Sequence, residues 1–237
     1  MFRVGTIRPN GTIGLTKFYA DPFRGRVAHH LLNILILAFP RPGLETAVNV
    51  WRIKNLPNIW RGLWRVWTAE LLGISTHYGA LYLRRKDGRT GRWVEYGIAS
   101  LRVITTVGAK YICDDIAGGA NDSSLFKFHG FGTGTTAEAV GDTALVTELT
   151  TEYNPNSTRP TGSQSSATVS TNATYTTVAT LTPDSGTPAV TEHMVASQAA
   201  TGGGTCLDRS KFAAVNLDSG NGDSLQGTYV LTMTAGS

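Results

Sequence analysis

The sequence predicts an α+β protein in two parts: a basic, helix-containing N-terminal region over residues 1–120 and an antiparallel β-sandwich or jelly-roll-like domain over residues 121–237. Three observations carry this expectation. Apolar residues recur at helical spacing across 55–78. From residue 121 onward, short Thr- and Val-rich runs are separated by Gly, Pro, Asn and Asp, the texture of an all-β domain. Charge divides the same way: residues 1–110 hold 17 Lys and Arg against 5 Asp and Glu, and residues 111–237 hold 4 against 12. The halves carry +12 and −8, which a net charge of +4 conceals.

The elements follow in order. Residues 1–20 read as extended, with a turn at Pro9-Asn10-Gly11. Residues 27–39 read as a helix ended by Pro40 and Pro42. The clearest helix is predicted over 55–78, with Asn55 as N-cap and Pro57 in the first turn. There Trp60, Trp64, Trp67, Leu71 and Ile74 form one stripe, and Ile59, Leu63 and Val66 widen it. Strands over 80–85 and 92–98, joined by a loop with Asp87-Gly88, predict a hairpin, and 100–105 a third strand. A short helix over 107–116 closes at Gly118-Gly119. Strands are then expected over 125–131, 143–153, 164–171, 174–182, 189–197, 204–215 and 224–234.

Composition narrows the function classes. Charged residues are 16% of the chain, below the roughly 25% of soluble domains. A subunit packed in a symmetric shell has this character, as does a plain Thr-rich β protein. Two distant cysteines, Cys113 and Cys206, do not make a disulfide framework and are expected to be reduced. The longest apolar run, 27–39, has 13 residues and falls short of the ~20 that cross a bilayer. The first residues lack an apolar signal core. No membrane association is expected.

Catalytic and cofactor motifs are weak. Gly132-Thr-Gly134-Thr-Thr-Ala137 satisfies a dinucleotide fingerprint formally, but Gly141-Asp142 interrupts the helix that must follow. The five histidines lack metal-binding spacing. Glu192-His193 and Asp208-Arg209-Ser210 contain triad residue types without a nucleophile elbow. No enzyme activity, cofactor or metal is expected. The informative cluster is aromatic and basic: all five tryptophans lie between 51 and 93, interleaved with arginines. Trp51, Trp60, Arg61, Trp64, Arg65, Trp67 and Trp93 are the candidate interface residues, since Trp and Arg dominate binding hot spots. The same stripe reads equally as internal core. Nucleic acid is the weakest of the three readings.

The stretch 128–148, FHGFGTGTTAEAVGDTALVTE, resembles virion structural proteins of tailed bacteriophages, which share its Gly-Thr-Gly-Thr-Thr core and Gly-Asp-Thr-Ala-Leu run. The resemblance continues through TELTTEYNP (147–155), RPTGS (159–163), VTEH (190–193), QAATGGGT (198–205), LDRS (207–210) and 223–234, so it covers roughly residues 92–237. It implies a non-enzymatic virion protein assembled in bacterial cytoplasm. The leading expectation is a capsid decoration or cement protein, homo-oligomeric and bound to the major capsid protein or other virion proteins. Neck or tail component and host-surface binding module are the alternatives.

Overall fold

The computed structural model describes residues 39–40, 43–72, 77–169 and 172–234. The segment expected to be extended over 1–20, and all but the last residue of the helix expected over 27–39, lie outside them. The described chain is mostly β, with two antiparallel sheets, eight strands and two helices. The α+β class therefore holds.

Helix α1 spans Thr46–Leu71, starting nine residues before the predicted Asn55. Its first amide bonds go to the Glu45 carbonyl, from Val48 and Asn49. Pro57 thus sits in the helix interior and not in the first turn. The carbonyl it leaves without a partner belongs to Ile53, on the solvent face, where water can serve it. Asn55 is no cap. It is fully buried, donating to the Ala99 carbonyl at 2.5 Å and accepting from the Ala213 amide at 3.1 Å. The buried face is Val48, Trp51, Asn55, Ile59, Leu63 and Val66. It lies one residue round from the Trp60–Trp64–Trp67 stripe. Gly62 decides which face turns inward, because a Cβ there would overlap the Leu101 carbonyl.

Strands β1 (His77–Lys86) and β2 (Trp93–Val103) form the expected hairpin, closed by Asp87 N to Arg92 O at 2.9 Å. The separate strand expected over 100–105 is the continuation of β2. Helix α2 (Thr106–Ile116) is capped by the Thr105 hydroxyl, which accepts from Gly108 N, and the chain leaves it through Gly118 at φ +77°. A short 3-10 turn, Ser123–Leu125, capped by Asp122, replaces the first half of the strand expected over 125–131. The strand itself is β3 (Phe128–Gly132).

The remaining strands are β4 (Ser163–Val169), β5 (Asn172–Leu181), β6 (Ala189–Ala196), β7 (Cys206–Asn216) and β8 (Ser224–Thr234). One sheet runs β2-β1-β8-β5-β4 and the other β3-β6-β7. The strand expected over 143–153 is irregular. It makes one bridge, Gly132 to Glu148, because its amides are drawn to a buried carboxylate rather than to a ladder.

The boundary expected near residue 120 does not separate the strands. β1 pairs with β8 from His77–Met233 to Lys86–Ser224, so the hairpin is part of the larger sheet. Leu81 and Leu83 of β1, Phe131 of β3, Leu181 of β5, Phe212 of β7 and Leu225 of β8 meet Trp51 of α1 in one core. The charge asymmetry is also met within the chain, through Arg85–Asp223 at 2.6 Å and the Arg102–Glu138 pair.

Helix α1 holds the two sheets together along one side. Arg52 donates to the carbonyls of Tyr96 and Glu95 on β2, and Trp51 Nε1 donates to Ala213 O on β7 at 2.6 Å. Asn55 bonds both strands. β2 and β7 are the outer strands of their sheets, and covering such edges removes an aggregation template.

Candidate docking groove and the frame behind it

The outer face of α1 forms one wall of an open groove of about 820 Å³. Trp60, Arg61, Trp64 and Arg65 come from α1, Arg102 from the end of β2 and Thr105 from the turn into α2. Glu138, Ala139 and Val140 supply the opposite lip, and Arg209 of β7 the floor. Trp60 is 61% exposed and Trp64 57%, against 5% for Trp51. A helix turns its largest apolar side chains outward only against a partner or at a cost in solubility.

The seven sequence-selected residues therefore divide. Trp60, Arg61, Trp64 and Arg65 are brought together at the groove. Trp67 is half-buried and packs against Trp64 with ring centroids 4.9 Å apart and the planes tilted by 41°. Trp51 is buried in the core of the chain and does not line the groove. Trp93 lies at the hairpin end of β2, partly exposed under the Arg84 guanidinium at 4.4 Å. Sequence reasoning missed Arg102, Glu138, Val140 and Arg209. Only the fold brings these to α1, and no spacing signal encodes that.

The groove is electropositive at its rim. Arg61 and Arg65 are exposed and make no ion pair among the described residues. They sit at i and i+4 on one helix, where like charges repel. Arg102 below them pairs with Glu138. Burial lowers its pKa to about 10, with the field of Arg61 and Arg65 adding to the shift and Asp208 opposing it.

Behind the groove lies a frame of buried charge. Glu192 is fully buried on β6 and accepts from the amides of Gly134 (3.0 Å), Val146 (3.2 Å) and Thr147 (2.8 Å). Arg209 donates to it through Nε at 2.9 Å and Nη2 at 2.7 Å, and reaches Asp142 at 2.9 Å and the Thr136 carbonyl at 3.0 Å. Within the glycine-rich loop the Gly134 amide is taken by this internal carboxylate and the Thr133 amide by the Thr147 carbonyl. A second clamp joins Arg159 to Glu148 at 2.5 and 2.9 Å and to the carbonyls of Gln198 and Gly203.

The triad residue types are close but not connected as a relay. Ser210 donates to Asp208 Oδ1 at 3.0 Å, while His193 Nε2 meets His129 Nδ1 at 2.9 Å and His129 Nε2 meets Thr177 at 3.1 Å. All are buried. Burial lowers the His129 pKa to about 3 and that of His193 well below the usual range, so both rings are neutral. Burial raises Asp208 to about 7, against the opposing Ser210 bond and Arg102 charge, and pushes the Cys206 thiol up. Among the described residues, no three His, Cys, Asp or Glu side chains converge as a metal site, and no helix is long and apolar enough to cross a membrane.

Compared with protein-family profiles, with curated proteins and with solved structures, the chain matches none.

Proposed function

We propose that this chain is a non-enzymatic structural protein of a tailed-phage particle, in the role of a capsid decoration or cement protein, and that the α1 groove is its docking surface toward another protein subunit. The two sheets with their shared core are read as a sandwich that carries this surface. The observation behind the docking role is the outward pair Trp60 and Trp64, flanked by Arg61 and Arg65, which make no ion pair among the described residues, on a helix whose other face is core. Trp and Arg at the centre of a contact supply most of its energy. The virion assignment rests on the ordered motifs over 92–237.

Protein fits the groove better than nucleic acid. Among the described residues, Glu138, Asp142 and Glu192 neutralise Arg102 and Arg209, leaving Arg61 and Arg65 as the exposed cations beside the tryptophans. Binding driven by phosphate contacts would instead fall steeply with salt.

The test is the copy number of the chain in purified virions, by quantitative mass spectrometry against the major capsid protein, for wild type and for Trp64→Ala. A ratio near one, or a simple fraction of it, supports cement on the lattice. A few to a few dozen copies moves the protein to the neck or tail. Absence from the particle overturns the reading. Trp64→Ala is expected to stay folded, because the side chain is largely in water, and to be depleted from particles.

A further inference from the structure

The reading of α1 as a protein-docking face raises the question of what enters the groove, and the structure holds a complementary surface at the far end of α2. Asp114 and Asp115 lie in the last turn of that helix, which contains no basic residue. Carboxylates at a helix C-terminus face the negative end of the helix dipole and are disfavoured there. Asp122 follows across the Gly118-Gly119 turn and is exposed. Lys110 pairs with Asp114 at 2.5 Å and Lys127 acts on Asp122, offsetting part of this charge. Between the acids stands Ile116, 82% exposed, more than any other large hydrophobic side chain among the described residues.

The two surfaces carry opposite charge, the acids also accepting from Asn121 Nδ2, Ser123 N and Ser124 N. Arg61 and Arg65 repel each other at i,i+4, and Asp114 and Asp115 oppose their own helix dipole. Both present an apolar anchor beside the charge, Trp60 and Trp64 on one side and Ile116 on the other. They cannot meet within one chain. The N-terminus of α2 borders the groove, with Thr106 N bonded to Val140 O at 2.8 Å, and its C-terminus is about 16 Å away along a rigid helix.

We propose that the groove receives the acidic α2 end of a second copy of this chain, Asp114–Ile116 with Asp122, in a head-to-tail contact. This rests on the reading of the α1 face as a protein-docking surface. Such an interface is heterologous: it uses two different patches, and it closes into a ring or propagates along a lattice.

The experiment is sedimentation velocity and native mass spectrometry on the full chain at low and physiological ionic strength. The variants are Arg61→Glu/Arg65→Glu and Asp114→Lys/Asp115→Lys, each checked for an unchanged melting temperature. Wild type is expected to self-associate, and each variant alone to do so at least about tenfold more weakly, since like charges then face each other. An equimolar mixture of the two is expected to recover assembly, because every groove again meets an end of opposite sign. Ile116→Ser, which changes no charge, is expected to weaken wild-type assembly as well.

A wild type that stays monomeric at all concentrations overturns the proposal, as does assembly unchanged in either variant or a mixture that fails to recover. A monomeric wild type that binds single-stranded DNA through Arg61 and Arg65 overturns it in favour of nucleic acid. The two readings fail separately. Monomer in solution with normal incorporation into particles sinks only the self-docking, and assembly in solution with absence from particles sinks only the virion role.

Discussion

Acid should unfold this protein from the inside, through His129 and His193, and the buried Asp208 should hide half of the effect. Both rings are excluded from water, and the charge acting on His193 is that of the other histidine. The Nδ1 atom of His193 has no partner among the described residues, so the favoured arrangement has His193 Nε2–H donating to His129 Nδ1 and His129 Nε2–H donating to Thr177. The orphan is then a lone pair, which is cheaper to bury than a bare donor. Unfolded histidines bind protons below about pH 6.5. The folded ones do not, until about pH 3 for His129. Stability from these two groups is therefore complete above pH ~6.5 and falls as pH drops, by about a factor of ten in the folding constant per pH unit for each ring.

Asp208 runs the other way. Its folded pKa of about 7 exceeds the unfolded value of about 3.9, so between those limits the native state holds the extra proton and gains as pH falls. Two histidines against one aspartate leave a net loss of about tenfold per pH unit below pH ~6.5. By pH 5 this amounts to roughly 2 kcal/mol in wild type and roughly 4 kcal/mol in Asp208→Asn, which lacks the compensating group. Above pH 7 the same variant should be more stable than wild type, since no buried carboxylate has to ionise. Urea denaturation followed by tryptophan fluorescence from about pH 8 to 4.5 measures both slopes, and NMR of the imidazole C–H signals reads the rings directly. A flat profile between pH 7 and 5, equal slopes in the two proteins, or His129 and His193 signals titrating near 6.5 would refute the reasoning.

Two further predictions concern the frame. Glu192→Ala leaves Arg209 facing Asp142 alone and strips three loop amides of their acceptor; a loss of about 3–5 kcal/mol is expected by thermal or urea denaturation, and a loss under 1 kcal/mol would show the network to be ornamental. Gly134→Ala brings a methyl group against the Glu192 carboxylate and Val146, both held in place, and should cost about 1–3 kcal/mol, whereas Gly141→Ala, which meets nothing, should be near neutral in the same assay.

Much of the strand order was legible because its signals are local. The hairpin at Asp87-Gly88 and the strands near 164–171, 174–182, 189–197, 204–215 and 224–234 are bounded by turn residues that act on their own neighbours. The segment 143–153 has the same composition and is not a strand. Its backbone is captured by Glu192, about 45 residues away in sequence, and no local pattern reports that. Helix α1 shows the limit differently. Two apolar stripes run along it, one residue apart, and periodicity cannot choose between them. Gly62, which permits contact with Leu101, and Asn55, which bridges β2 and β7, make the choice only once the sheets exist. The groove was half legible for the same reason: its four α1 residues are sequence neighbours, whereas Arg102, Glu138 and Arg209 arrive through tertiary contacts.

The glycine-rich motif and the acidic and basic residues that follow it are mostly internal in their action. Gly134, Asp142, Thr147, Glu192 and Arg209 form one clamp, and Glu148, Arg159, Gln198 and Gly203 the other. Side chains and amides bonded in this way are not available to a partner. What they specify is a rigid frame. The exposed Trp60, Arg61, Trp64 and Arg65 lie on α1, ahead of this frame in the sequence. Frame and exposed helix face are thus separate in sequence, joined through Trp51, Arg52 and Asn55 to the edges of β2 and β7. A chain built this way can keep its motifs and change its partner by altering one face of one helix. Replacing the exposed residues 60, 61, 64 and 65 should therefore redirect binding while leaving the buried frame and its melting transition intact. Changes to Glu192 or Arg159 should do the reverse, losing stability first and binding only as a consequence.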